Sequence, residues 1–85
     1  MWYVYILKDK NNKTYIGSTN NLERRIAEHK EGLCYSTKYF KGICLEAYIA
    51  VNSESIARNL GKYFKKGSGK AFLKKRILTD EALLR

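Results

Sequence analysis

The chain is short of several things that would widen its possible uses. Acidic residues are scarce, 8 Asp and Glu against 17 Lys and Arg, which leaves a formal charge of +9 over 85 residues. A field of that sign attracts polyanions, so nucleic acid is the first partner to consider, with acidic proteins and anionic lipid left open on charge alone. Cysteine is limited to Cys34 and Cys44. The pair is too small, and not spaced like a zinc motif, to support a disulfide scaffold or a metal knuckle. Cys44 lies in an apolar stretch and is expected to pack, whereas Cys34 lies in a polar loop and is expected to be an ordinary thiol. No apolar run approaches the roughly 20 residues that a membrane span needs, and the first residues lack the basic-then-apolar pattern of a signal peptide. A soluble cytoplasmic protein with no membrane partner is therefore expected. Internal repeats, low-complexity tracts and linkers are absent too, which predicts one domain over residues 1–85, large enough for a single core.

What is there reads as alternating local signals. Trp2 to Lys8 is aromatic and β-branched, Asp9-Lys10-Asn11-Asn12-Lys13 supplies turn chemistry, and Thr14 to Ser18 is extended again, so a β-hairpin is predicted. Alternation sets Tyr3 and Tyr5 on one face of the first strand and Val4 and Ile6 on the other, one face wet or functional and the other core. Asn20 followed by Glu23 is a capping-box arrangement, and Leu22, Ile26 and Ala27 give the following helix its apolar stripe. Arg25 and His29, four apart, share a second face. Gly32 suits the helix end, and Leu33 to Gly42 reads as a surface loop.

Ile43 to Val51 is apolar enough to predict a central or well-covered third strand. Ser53 caps a second helix whose stripe is Ile56, Leu60 and Phe64, ending at Gly67-Ser68-Gly69. A third helix is expected from about Lys70 to Leu78, offering Phe72, Leu73 and Ile77 to the core, with a short turn or helix after Asp80. The order ββαβαα predicts an α+β domain in which helices cover a three-stranded antiparallel sheet.

Taken together, Trp2-Tyr3-Val4-Tyr5-Ile6-Leu7, then Tyr15-Ile16-Gly17-Ser18-Thr19, then Leu22-Glu23-Arg24-Arg25 and Glu28-His29 resemble the GIY-YIG endonuclease superfamily, and in particular its small stand-alone bacterial members of the YhbQ-like type. The similarity continues through Tyr35-Ser36-Thr37-Lys38 and Gly67-Ser68-Gly69-Lys70-Ala71-Phe72-Leu73, and so covers nearly the whole chain. The resemblance implies hydrolysis of nucleic-acid phosphodiester bonds with a divalent metal, Mg²⁺ or Mn²⁺, in a setting such as DNA repair or recombination. It implies that Tyr5 or Tyr15 activates or orients the attacking water, that Arg25 holds the scissile phosphate, and that His29 assists proton movement or phosphate binding.

Physical chemistry ranks those roles. A phenol with an ordinary pKa near 10 needs neighbouring cations, or a metal-bound water, to act as a base at neutral pH. A guanidinium keeps its charge and presents a planar fork to phosphate oxygens. The metal is the weak point. The resemblance implies a metal-binding glutamate on the second helix, and counting back from Tyr63-Phe64-Lys65 and Gly67-Ser68-Gly69 sets Gly61 in its place. Glycine carries no ligand and, within a helix, costs about 1 kcal/mol relative to alanine. Glu54 falls on a similar face but about 10 Å away along the axis. Asn59 is nearer, yet an amide oxygen is a poorer magnesium ligand than a carboxylate. The expectation is a nuclease domain impaired or inactive in this chain, with a non-catalytic basic DNA-binding module as the alternative.

Lys38 and Lys41 in the loop, and Lys65, Lys66, Lys70, Lys74 and Lys75 near the end of the chain, are the candidate backbone-binding cations. Tyr35, Tyr39 and Phe40 are available to stack on unpaired bases. DNA is favoured over RNA, and a homodimer or a protein partner stays open.

Overall fold

The computed structural model describes residues 1–77. Trp2 to Leu7 carries no charged side chain, the composition of a strand covered on both faces. It forms β1 (Trp2–Lys8), the middle strand of a sheet ordered β2-β1-β3. β1 pairs antiparallel with β2 (Thr14–Thr19), where Tyr5 faces Gly17, and along its other edge with β3 (Cys44–Val51), where Tyr5 faces Tyr48. The register with β3 shifts between Ile6 and Leu7.

β3 is thus an edge strand, neither central nor well covered as its apolar content suggested. Its residues alternate between exposed and half-buried, and Glu46 interrupts its apolar run. Cys44 at its start is exposed, while Cys34 is buried, the reverse of the expectation for the two thiols. Residue 44 lies at the open end of an edge strand, and residue 34 is folded inward by the turn that follows α1.

The hairpin turn is organised by Asp9. Its Oδ1 accepts hydrogen bonds from the Asn11 and Lys13 N–H groups, each at 2.9 Å, and Oδ2 accepts from the Lys41 N–H at 3.3 Å. Burial would raise this carboxyl, but the three backbone donors hold it below the ordinary carboxylate value. The Lys10 N–H also donates to the Lys41 carbonyl at 2.9 Å, so the same turn anchors the far end of the 33–42 loop.

α1 (Leu22–Lys30) is capped one residue later than predicted, by Asn21, whose Oδ1 accepts from the Arg24 N–H at 3.1 Å. Thr19 delays the start: still in β2, its hydroxyl accepts the Asn21 N–H at 3.0 Å. The buried side of the helix is Leu22, Arg25, Ile26 and His29, and Ala27 is exposed. At the other end Gly32, at φ 77°, completes a Schellman motif: Leu33 N–H donates to the Glu28 carbonyl at 3.0 Å and Gly32 N–H to the His29 carbonyl at 3.1 Å. The loop beyond it includes a short 3-10 turn, Tyr35–Thr37.

Both faces of the sheet carry packed residues. On one, Val4, Ile6 and Ile16 pack with Ala57 and Phe64 of α2 (Glu54–Lys65) and Leu73 of α3 (Gly67–Arg76). On the other, Tyr5 lies against His29 of α1 and both Tyr5 and Leu7 are buried, whereas Tyr48 beside Tyr5 is 53% exposed, so this face is buried where the tyrosine meets the helix and open toward β3. Ser53 caps α2 as predicted, its Oγ accepting the Ile56 N–H at 3.3 Å. The inward stripe is Ala57, Gly61 and Phe64, with Leu60 half-buried, whereas Ile56 is 48% exposed. Of the predicted stripe, Phe64 and Leu60 do reach the core and only Ile56 is turned outward, its place taken by Ala57.

α2 ends at Lys65, and Gly67-Ser68-Gly69, expected to end it, is already the first turn of α3. Gly69 makes that tight junction possible, because a Cβ there would overlap the Tyr63 carbonyl oxygen. Leu73 is buried, and Phe72, 47% exposed, stacks on Phe64 with ring centroids 6.4 Å apart instead of entering the core. Leu78 and the turn expected after Asp80 lie outside the described residues. Among the described residues no helix is long and apolar enough to cross a membrane.

Candidate active site

Tyr5, Tyr15, Arg25 and His29 come from three consecutive elements, and the structure brings them together. Tyr5 of β1 and Tyr15 of β2 project from the same face of the sheet as neighbours, their ring centroids 6.2 Å apart. His29 descends from α1 onto both, with centroids 5.6 Å from Tyr5 and 5.0 Å from Tyr15. Its ring is held at both nitrogens: Nε2 is hydrogen-bonded to the Tyr5 hydroxyl at 2.8 Å and Nδ1 to Thr37 Oγ1 at 2.7 Å. Tyr5, His29 and Thr37 are each 1% exposed. The result is a buried polar chain running from the middle strand, through the helix, into the loop.

Gly17 makes room for the chain. A Cβ at that position would stand 2.5 Å from the Tyr5 hydroxyl and 2.9 Å from the Tyr15 ring. The glycine of the Tyr15-Ile16-Gly17 tripeptide thus serves as the seat of the Tyr5 phenol.

Arg25 borders the chain on its solvent side. Its Nη1 donates to Glu28 Oε1 at 2.9 Å, and its side chain is 37% exposed, enough to meet a ligand. The electrostatics follow from this mixture of burial and cation. Burial pushes the Tyr5 phenol up to about 12, with Arg25 beside it pulling the other way. Burial also lowers His29, helped by repulsion from Arg25 and opposed by Glu28, so the imidazole is neutral at pH 7. Arg25 itself is held further into its charged form by Glu28 and then by Tyr5.

Thr37 and Glu28 join the site without having been singled out from the sequence. The signal for Glu28 is present there, since an acid three residues after Arg25 on a helix is its natural partner. Thr37 gives none beyond its presence in the polar loop, because its partner is eight residues away across a turn.

The candidate cations separate. Lys65, Lys70 and Lys74 line an open pocket of about 280 Å³ together with Thr14, Tyr15 and Ile16 of β2 and with Phe64 and Leu73. Lys66 and Lys75 are exposed and do not line it. Lys38 instead sits over the rings of Tyr35 and Tyr39, its Nζ 4.7 and 5.1 Å from their centroids, and those tyrosines are 84% and 75% exposed. Lys41 is tied through its backbone to Asp9.

Gly61 is buried, yet a Cβ built on it meets nothing within 4 Å. It opens on a smaller pocket of about 180 Å³ formed with Ile16, Gly17, Ser18, Arg58, Lys62 and Lys65. Among the described residues no three of His, Cys, Asp and Glu converge. Glu28, a carboxylate beside the tyrosine cluster, is engaged by Arg25. A divalent ion that takes hard oxygen ligands does not fit this donor set.

A three-stranded antiparallel sheet in ββαβαα order, with paired tyrosines on the hairpin and Arg25 and His29 on the first helix, defines a GIY-YIG fold. Residues 1–76 match the family model of the GIY-YIG catalytic domain, and the chain belongs to that nuclease family. It is similar to a UPF0213 protein of Vibrio campbellii, 34% identical over 82 residues that cover 95% of this chain and 76% of the relative. A UPF0213 protein of Clostridium perfringens is 52% identical over 42 residues, 49% of this chain, and that match spans only 43% of the relative's length. Among solved structures, the solution NMR structure of a UPF0213 protein from Bacillus halodurans superposes with a TM-score of 0.52 at 32% identity, covering 88% of this chain and 84% of the other.

Proposed function

We propose that this domain binds DNA through its phosphodiester backbone on a GIY-YIG endonuclease scaffold, and that cleavage is impaired because residue 61 supplies no carboxylate. The observation that carries the reading is the Tyr5–His29 hydrogen bond at 2.8 Å, flanked by the partly exposed Arg25 guanidinium. Arg25 is the group suited to a backbone phosphate, since its planar fork matches two phosphate oxygens and its charge does not titrate. Engagement of a phosphate would draw it from Glu28, whose bond holds the fork ready in the meantime.

Behind Arg25 the buried chain sets a proton path. In the neutral tautomer this reading uses, Nδ1–H donates to Thr37 Oγ1 and Nε2 accepts from the Tyr5 hydroxyl. Tyr5, as buried as His29, passes its own proton toward His29, and the half-buried Tyr15 beside it is the phenol placed to meet an attacking water. The Tyr5 phenol, raised to about 12, is a poor anion but a workable relay, because it never has to hold the negative charge. His29, at 1% exposure, acts through Tyr5 and not on the phosphate directly.

The alternative, a DNA-binding module without catalysis, is favoured by the same residue 61 together with the lysines that line the β2 edge. One comparison tests both. Labelled single-stranded, duplex and branched DNAs are incubated with Mg²⁺ or Mn²⁺ and either this chain or its Gly61→Glu variant. The expected result is cleavage by the variant alone. Cleavage by neither, with salt-sensitive binding by both, would leave the binding module.

A further inference from the structure

The open space at Gly61 mixes apolar and polar walls but carries formal charge of one sign. It is lined by Ile16, Gly17 and Ser18 of β2 and by Arg58, Gly61, Lys62 and Lys65 of α2. Among the described residues no carboxylate lines the space. Glu54 is bonded to Arg58 Nε at 2.7 Å from one turn further back, on the exposed side of the helix. The neighbouring pocket shares Ile16 and Lys65 with this one and adds Lys70 and Lys74. The field inside a concave space is set by the charges on its rim, and here every formal charge on the lining is positive. β2 is also an edge strand of the described sheet, and an edge strand carries backbone N–H groups that no neighbouring strand takes up.

We infer that the slot between Gly17 and Gly61 is an anion site that takes a tetrahedral phosphate group, held by Lys62, Lys65 and the Ser18 hydroxyl. This deepens the proposed function and rests on it for the source of the phosphate, the DNA backbone. The sign of the slot decides its occupant. A cation would be repelled by Lys62 and Lys65, whereas a phosphate gains from both and meets no side chain at 61 to exclude it. Gly17 is also the seat of the Tyr5 phenol, so a phosphate in this slot lies on the far side of one residue from the tyrosine cluster.

The test uses the whole chain with EDTA present. Inorganic phosphate is titrated while the backbone amide signals of Gly17, Ser18 and Gly61 are followed by NMR, and a DNA strand of about 12 nucleotides, within the span one small domain covers, is titrated separately by fluorescence anisotropy. Saturable shifts centred on those three amides are expected. Gly61→Glu, which sets a carboxylate in the slot, should weaken phosphate binding at least tenfold, and Lys62→Gln several-fold. Gly61→Ala, which adds only a methyl group, should stay within about threefold. DNA affinity without metal should fall in the same order. Equal phosphate binding by this chain and Gly61→Glu, or shifts spread evenly over the lysine-bearing helices, would overturn the inference. Saturation of the slot by phosphate with no binding of DNA would uphold it and remove the DNA reading instead.

Discussion

Tyr5 and Gly17 face each other across the β1–β2 ladder, and the Tyr5 phenol lies over the bare side of the glycine with no room for a methyl group between them. The pairing explains why the tyrosine can reach His29: its ring is laid sideways across the neighbouring strand instead of standing up from its own. Everything downstream, from the hydrogen bond at His29 Nε2 to Thr37, depends on that seat.

Gly17→Ala should therefore act on stability and on the site together. The new methyl group would meet the Tyr5 hydroxyl at 2.5 Å, so the ring must move. Overpacking of this kind costs about 1–3 kcal/mol. Urea unfolding should show that loss, and the His29 ring signals should shift as the Tyr5 bond breaks.

His29 makes stability depend on pH with a definite sign. Its folded pKa lies below the ordinary value of about 6.5, so below that pH the unfolded chain binds more protons than the folded one. The stabilisation is complete above pH 6.5 and is lost as the pH falls through the folded value. Urea midpoints should decline between about pH 7.5 and 5, and His29→Gln should flatten that slope. A midpoint that rose on acidification would contradict the neutral, buried imidazole.

Gly61→Ala should stabilise the fold, by up to about 1 kcal/mol. The residue is in the interior of α2, and its new Cβ would meet nothing within 4 Å. A higher urea midpoint with unchanged slope is the expected outcome, and a lower one would mean that the space at residue 61 is too small for a methyl group.

Lys65, Lys70 and Lys74 share one pocket, so their contribution to DNA binding should be read as a set. Removing one phosphate-binding cation should reduce the slope of log affinity against log salt by about 0.7 for a single strand. Lys65→Gln, Lys70→Gln and Lys74→Gln should each do so, whereas Lys75→Gln, outside the pocket, should change the slope less.

Much of this was legible in the sequence. The hairpin, the helix bearing Arg25 and His29, the Ser53 cap and the family resemblance follow from local signals a few residues long, and local geometry answers to them. What was misread depended on neighbours that sequence spacing does not name. Ile56 and Ala57 are adjacent, and a helical period alone does not say which one turns toward the sheet. The reading of β3 as central or well covered was the larger miss, although Glu46 within β3 and the uninterrupted apolar run in β1 distinguish an edge from a centre. Thr37 became a partner of His29 only because Asp9 and the Gly32 turn pin the two ends of its loop. Two small residues thereby decide where a third one points.

The central position of β1 also bears on how the fold is made during synthesis. The strand that emerges first is the one that both other strands require, since Trp2 pairs with Val51 on one edge and Tyr3 with Thr19 on the other. The hairpin edge can close across a short turn as soon as β2 has left the ribosome. The opposite edge, with Val4 and Ile6 still uncovered by helices, waits for β3 and then for α2. In that interval the nascent chain presents an apolar strand with one open side, the kind of surface that chaperones hold and that other chains can pair with.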